Sequence, residues 1–233
     1  RVRAALVPLA RGWLLPEALA AYDVLRPLPD SRAGLVPGPD LGPWLKRKKD
    51  ARLLPRAAQL ALPAAGMAMQ AFDANPEELA LFVAVGREPP DEGEAEASLV
   101  AMHENGELAH ERLRTEGRAL YPPLLPLRTL PNMVLAHVAI QHGIRGENAV
   151  YAGGFEAGCH ALVAANECLR SGRARFVLVG AAYSAVDLAS ARDRLRLGLS
   201  GPPGEGAVFL LLSRPVAIPH AADELFRART GDL

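Results

Sequence analysis

The chain has 233 residues, half of them hydrophobic, which is enough apolar material for a sizeable core. Its 26 basic and 26 acidic side chains cancel, removing the electrostatic case for nucleic acid or an anionic membrane as a partner. The longest apolar run, Phe176 to Val186, is too short to span a bilayer.

In chain order, Val2 to Leu9 reads as a short apolar strand. Pro27 to Pro43 is rich in proline and glycine and reads as a loop or surface arm. Ala51 to Phe72 is apolar at helical spacing, with Pro55 and Pro63 expected to kink or segment it. Leu79 to Gly86, "LALFVAVG", is apolar without alternation, the pattern of a strand buried on both faces. Arg87 to Ala95 is an acidic loop, and Leu130 to Gly143 is a helix ended by its glycine. Asn148 to Ala152 is a strand, and Ala157 to Ser171 is a helix ended by Gly172. Arg175 to Gly180 and Gly206 to Ser213 are the last two strands, with a tight connection, Leu199 to Glu205, leading into the second. The tail after Pro215 is short. The length fits one large domain or two small ones, and strands alternating with helices imply an α/β fold with a five-stranded, mostly parallel sheet flanked by helices.

The join at Asn148 to Ala157 carries the functional question. A strand runs through a sharp turn, Gly153–Gly154, into a helix whose residues Ala157, Gly158, Ala161, Ala164 and Ala165 have almost no bulk. Such a helix suits close packing between layers. Its first amides point at the turn, where they would lower a thiol pKa or hold an oxyanion. The residue at the turn is Phe155, which has no ionisable group.

Other candidates have plainer readings. Cys159 and Cys168 project from roughly opposite faces of one helix and cannot pair; a reduced, cytoplasmic setting is the default. Cys159 is expected as a buried structural thiol rather than a displaced nucleophile. His137 and His142 lie at i and i+5, poor spacing for one metal ion, and take surface or core roles. Glu156 is expected to cap the helix N-terminus. "GEG" at Gly204 to Gly206 is a turn into a strand, not a phosphate loop, because no Lys or Ser/Thr follows. No metal or cofactor is expected.

Several blocks resemble, in order, the N-terminal half of a β-ketoacyl synthase of the thiolase-like superfamily. They are "RLLPRAAQLALPAA" (Arg52 to Ala65), "LPNMVLAHVAIQHGIRGEN" (Leu130 to Asn148), "GCHAL" with "LRSGRARFVLVGAA" (Gly158 to Ala182), and "GEGAVFLLL" (Gly204 to Leu212). By that resemblance the chain is a single domain over 1–233. The family's nucleophilic Cys falls at Phe155, and its Thr-Ala-Cys-x-Ser-Gly reads Gly153, Gly154, Phe155, Glu156, Ala157, Gly158. His160 matches a histidine common in the family, with a structural role. The chain stops where the family's C-terminal half, with its catalytic histidines and lysine, would begin.

The resemblance implies a truncated chain-length factor: a non-catalytic subunit of a type II polyketide ketosynthase heterodimer, with aryl polyene synthesis as the specific context. The partner would be a full-length ketosynthase with an intact active-site Cys, reached by acyl carrier protein through the complex. Val150 and Tyr151 would lie on the strand pairing across the two-fold axis. Leu124, Leu125, Thr129 and Met133 would approach the end of the partner's acyl tunnel, and Phe155 would plug the nucleophile position. Two other readings stand beside it: a scaffold or carrier-binding module with no influence on chain length, and a thiolase-like enzyme using an atypical nucleophile such as Cys159.

Overall fold

A computed structural model describes residues 2–6, 35–70, 72–86, 98–104, 107–121, 123–187, 190, 193–194, 196–199 and 203–213, with the backbone alone for Val2–Leu6, Pro126 and Phe155. The acidic loop from Arg87, the proline-rich stretch before residue 35 and the tail after Pro215 lie outside the described residues.

The principal elements are β1 (Val2–Leu6), α1 (Arg56–Met69), β2 (Leu79–Val85), α2 (Asn132–His142), β3 (Asn148–Ala152), α3 (Phe155–Ser171), β4 (Phe176–Ser184) and β5 (Glu205–Ser213). The sheet order is β1-β5-β4-β2-β3. β2 pairs in parallel with β3 and β4, while β5 is antiparallel to both β4 and β1. Four strands therefore run one way and β5 alone runs against them, the mostly parallel sheet expected. β4 is longer than its apolar core suggested, because Ala181 to Ser184 continue the ladder against Glu205 to Val208.

All seven residues of β2 are buried. Leu79, Leu81, Val83 and Val85 pack into a cluster with α1 and α2; Ala80, Phe82 and Ala84 pack into a second with α3. A strand covered on both faces has no polar side to show, which is why its sequence lacks alternation. The expected helix from Ala51 is segmented by Pro55, which sits at the N-cap of α1 after a 3-10 turn, Lys48–Leu53. Pro63 lies inside α1, where it removes one backbone donor without ending the helix. Gly143 and Gly172 end α2 and α3 with φ of 70° and 76°, left-handed values that a side chain resists.

α3 lies with its small residues on the sheet: Ala157, Ala161 and Ala165 are buried. Its other face is open in the single chain, with Leu162 47% and Val163 66% exposed. The two cysteines divide as the spacing requires, but Cys168 is the buried one and Cys159 is exposed. The expectation of a buried Cys159 is thus corrected: one turn into α3 it points away from the sheet that covers Ala157 and Ala161.

Candidate functional site

β3 enters the turn tied to β2, where the Gly153 amide donates to the Val85 carbonyl at 3.1 Å. The Gly154 amide then donates to Glu156 Oε1 at 3.0 Å, and α3 starts at Phe155. The Glu156 carboxyl is held below its ordinary range by its own backbone amide first and by that of Gly154 second, with His160 adding to the effect. The expected cap is therefore present, and it is a tight one. A Cβ at Gly153 or Gly154 would lie 3.0 Å from the Glu156 carboxylate.

Beside the elbow is a cavity of about 1100 Å³ at the C-terminal ends of β2 and β4. Gly153, Gly154, Ala157 and Gly158 form one wall, Ala84, Val85, Ala181 and Ala182 the floor, and Tyr183, Ser190, Leu197 and Leu199 the far side. In open α/β sheets ligands collect at this end of the strands. The Tyr183 ring covers Gly86, where an added Cβ would meet it at 2.1 Å. Tyr183 Oη and Ser190 Oγ are 3.3 Å apart, and Ser190 donates through its backbone amide and its hydroxyl to Asp187.

Glu205, which also lines the cavity, was legible only as part of a turn. It is buried, and its carboxylate is a junction for three segments: it accepts from the Val36 amide at 3.0 Å, from Ser184 Oγ at 2.9 Å, and from both Nε and Nη2 of Arg56. Burial pushes the carboxyl upward, but Arg56, Ser184 and Val36 outweigh it and the net shift is downward. The available signal was a lone acid between glycines at the mouth of an apolar strand, with an arginine placed just after Pro55.

Of the other expected residues, Leu124 is half exposed, Leu125 is buried at 3%, and Met133 and Thr129 are half-buried. None of the four lines the elbow cavity. Val150 packs toward α1 and α2, Tyr151 toward α3, on opposite faces of β3. Tyr151 meets His160 edge-on with centroids 6.3 Å apart. Exposed Cys159 is not part of the cavity wall. His137 and His142 both lie against the core rather than together at a metal site, and no metal-binding group of His, Cys, Asp or Glu exists among the described residues.

A family model for the β-ketoacyl synthase N-terminal domain matches residues 43–214. The chain belongs to the β-ketoacyl synthase family. Among solved structures, this ketosynthase-type chain is similar to one described as a type II PKS acyl-carrier protein in complex with its ketosynthase bound to the hexaketide. The TM-score is 0.63 at 18% identity, covering 91% of this chain and 62% of that one. A β-ketoacyl synthase from Burkholderia phymatum gives a TM-score of 0.61 at 17% identity, over 98% and 61% of the two chains. The ishigamide ketosynthase/chain length factor gives 0.52 at 23% identity, over 82% and 52%. The chain thus spans about three-fifths of the length of the first two, and at these identities the likeness is one of fold. A search of curated proteins returned no match. Among the described residues no helix is long and apolar enough to cross a membrane.

Proposed function

We propose that this ketosynthase-family chain, as a single domain over 1–233, is a non-catalytic, chain-length-factor-like subunit. It pairs with an active ketosynthase carrying an intact Cys and shapes that partner's acyl tunnel, with acyl carrier protein as visitor and aryl polyene-type synthesis as the context. The observation that carries the reading is the elbow: its apex is Phe155, and the Gly154 and Glu156 amides beside it are engaged by the Glu156 carboxylate. Condensation needs a thiolate to hold the acyl group and free donors for developing negative charge. A benzyl side chain supplies no thiolate, and a resident carboxylate competes with any oxyanion. That Cys159 is exposed and off the cavity wall weighs against it as a substitute.

The isolated chain should therefore neither load acyl groups nor condense malonyl-carrier substrates. Phe155→Cys alone should not gain turnover, because Glu156 still occupies the amides. Intact-protein mass spectrometry after incubation with acyl donors, beside a condensation assay, decides this; turnover by the unaltered chain would remove the non-catalytic reading.

Product length provides the next test. Leu124 and Met133 carry side chains that are not consumed by this chain's own core, whereas Leu125 is buried in it. If the first two form the end of the partner's tunnel, truncation adds room, and each extra methylene accommodated is worth about 0.8 kcal/mol. Leu124→Ala or Met133→Ala should lengthen the product with initiation intact, while Leu125→Ala should instead destabilise this chain by about 2–5 kcal/mol. Unchanged lengths in an intact complex would favour the scaffold or carrier-binding reading.

A further inference from the structure

Two imidazoles on α2 have no role in the elbow. His137 is buried at 5% exposure and His142 is half-buried, and Nε2 of each has no hydrogen-bond partner among the described residues. Both lie under one segment, residues 44–54, that crosses α1 and α2. The segment is anchored at its start by the Trp44 ring, which lies so close to Gly66 of α1 that a Cβ there would meet it at 2.0 Å. Next, the Lys46 amide donates to Gln141 Oε1 at 2.7 Å and Lys46 Nζ to the Ile140 carbonyl at 2.8 Å, both at the end of α2. Farther along, His137 is hydrogen-bonded to the backbone of Leu53, and Leu54 is buried.

We propose that residues 44–54 form an acid-sensitive strap: closed on α2 while His137 and His142 are neutral, and released with the sheet still folded when they take up protons. A protonated imidazole must place a second N–H, and neither Nε2 has an acceptor waiting among the described residues. Burial disfavours the charged form of both rings, and for His142 the nearby Lys46 ammonium adds repulsion. The opposing charge is Asp50, which faces His137 from the strap but is already paired with Arg47 at 3.1 Å. The other elements packed on α2 offer little: β2 and β3 carry no charged side chain, α1 carries only Arg56, which is committed to Glu205, and the short helix Pro126–Thr129 carries Arg128. Both groups are held below their ordinary value of 6.5, so strap stability is full above that pH and declines as pH falls below it. The anchoring contacts lie outside the sheet, so the opening is local.

The test is hydrogen exchange by mass spectrometry on the full chain at pH 7.5 and 5.5, corrected for intrinsic rates. Peptides covering 44–54 should lose protection roughly tenfold at the lower pH while β2 and β4 keep theirs, the pattern of a sub-global opening. His142→Gln should largely remove the pH effect. Where that variant folds poorly, Lys46→Met serves instead: removing the cation should lift the His142 titration midpoint, read by NMR, and shrink the ratio between the two pH values. Unchanged exchange at pH 5.5, equal loss across the sheet, or a full pH effect in either variant overturns the strap. None of these outcomes depends on whether the chain acts as a chain-length factor.

Discussion

Val150→Pro should leave the chain folded and abolish the proposed association with a ketosynthase partner. Among the described residues β3 is an edge strand, bonded to β2 on one side only. The Leu81 amide donates to the Glu147 carbonyl, and the Gly153 amide donates to Val85. Residues 147, 149, 151 and 153 therefore turn their backbone groups toward β2, and alternation turns those of 148, 150 and 152 outward. Proline at 150 deletes an outward donor that no bond among the described residues uses, and an edge strand is where a sheet tolerates proline. Open edges with half-buried apolar flanks invite another strand. The apolar residues at this edge are Ala149, Val150 and Tyr151, all half-buried on β3. Size-exclusion chromatography of the co-expressed pair reads the result, with circular dichroism as the control for folding. Co-elution of an intact complex with the proline variant would contradict this strand as the pairing edge. Ala149→Pro, whose lost donor faces β2, should instead unfold the chain.

Glu205→Gln should cost about 3 kcal/mol. Breaking a buried ion pair by removing one partner typically costs about 3–5 kcal/mol, and the lower end applies because the Arg56 side chain is 32% exposed and can recover some water. The loss is not confined to the pair, since the same carboxylate fixes the Val36 segment and Ser184 at the end of β4. The sign with pH follows from the lowered carboxyl: its stabilisation is complete well above 4.5 and disappears as pH falls through the folded-state value. Chemical denaturation at neutral pH should show the full difference between wild type and Glu205→Gln, and the two curves should converge in acid. A constant difference across that range would mean that shape at this position matters and the charge does not. The cavity beside the elbow should also lose definition in the variant, because Glu205, Gly206 and Ala207 line it.

Much of this architecture is legible in the amino-acid sequence. β3 falls on the residues expected, Asn148–Ala152, and α2 and α3 end at the two glycines that adopt left-handed values. These features are local: a strand buried on both faces must be apolar throughout, and a helix ending in a left-handed residue favours glycine. The absence of an ionisable group at position 155 is likewise a property of the sequence alone. What only the tertiary structure decided involves residues far apart in the chain. Glu205 joins Val36 and Arg56 across separations of 169 and 149 residues, and no periodicity or turn rule encodes which distant cation a lone acid will meet. The orientation of α3 is a second case: spacing set the two cysteines on opposite faces, but only the packing of Ala161 and Ala165 on the sheet made Cys168 the buried one. The third is the segment 44–54, whose Lys46 and Asp50 meet the end of α2 and His137, residues about ninety positions away in the chain. Local rules follow from backbone sterics and solvent exposure at neighbouring positions, whereas these three follow from which surfaces meet once the chain has closed.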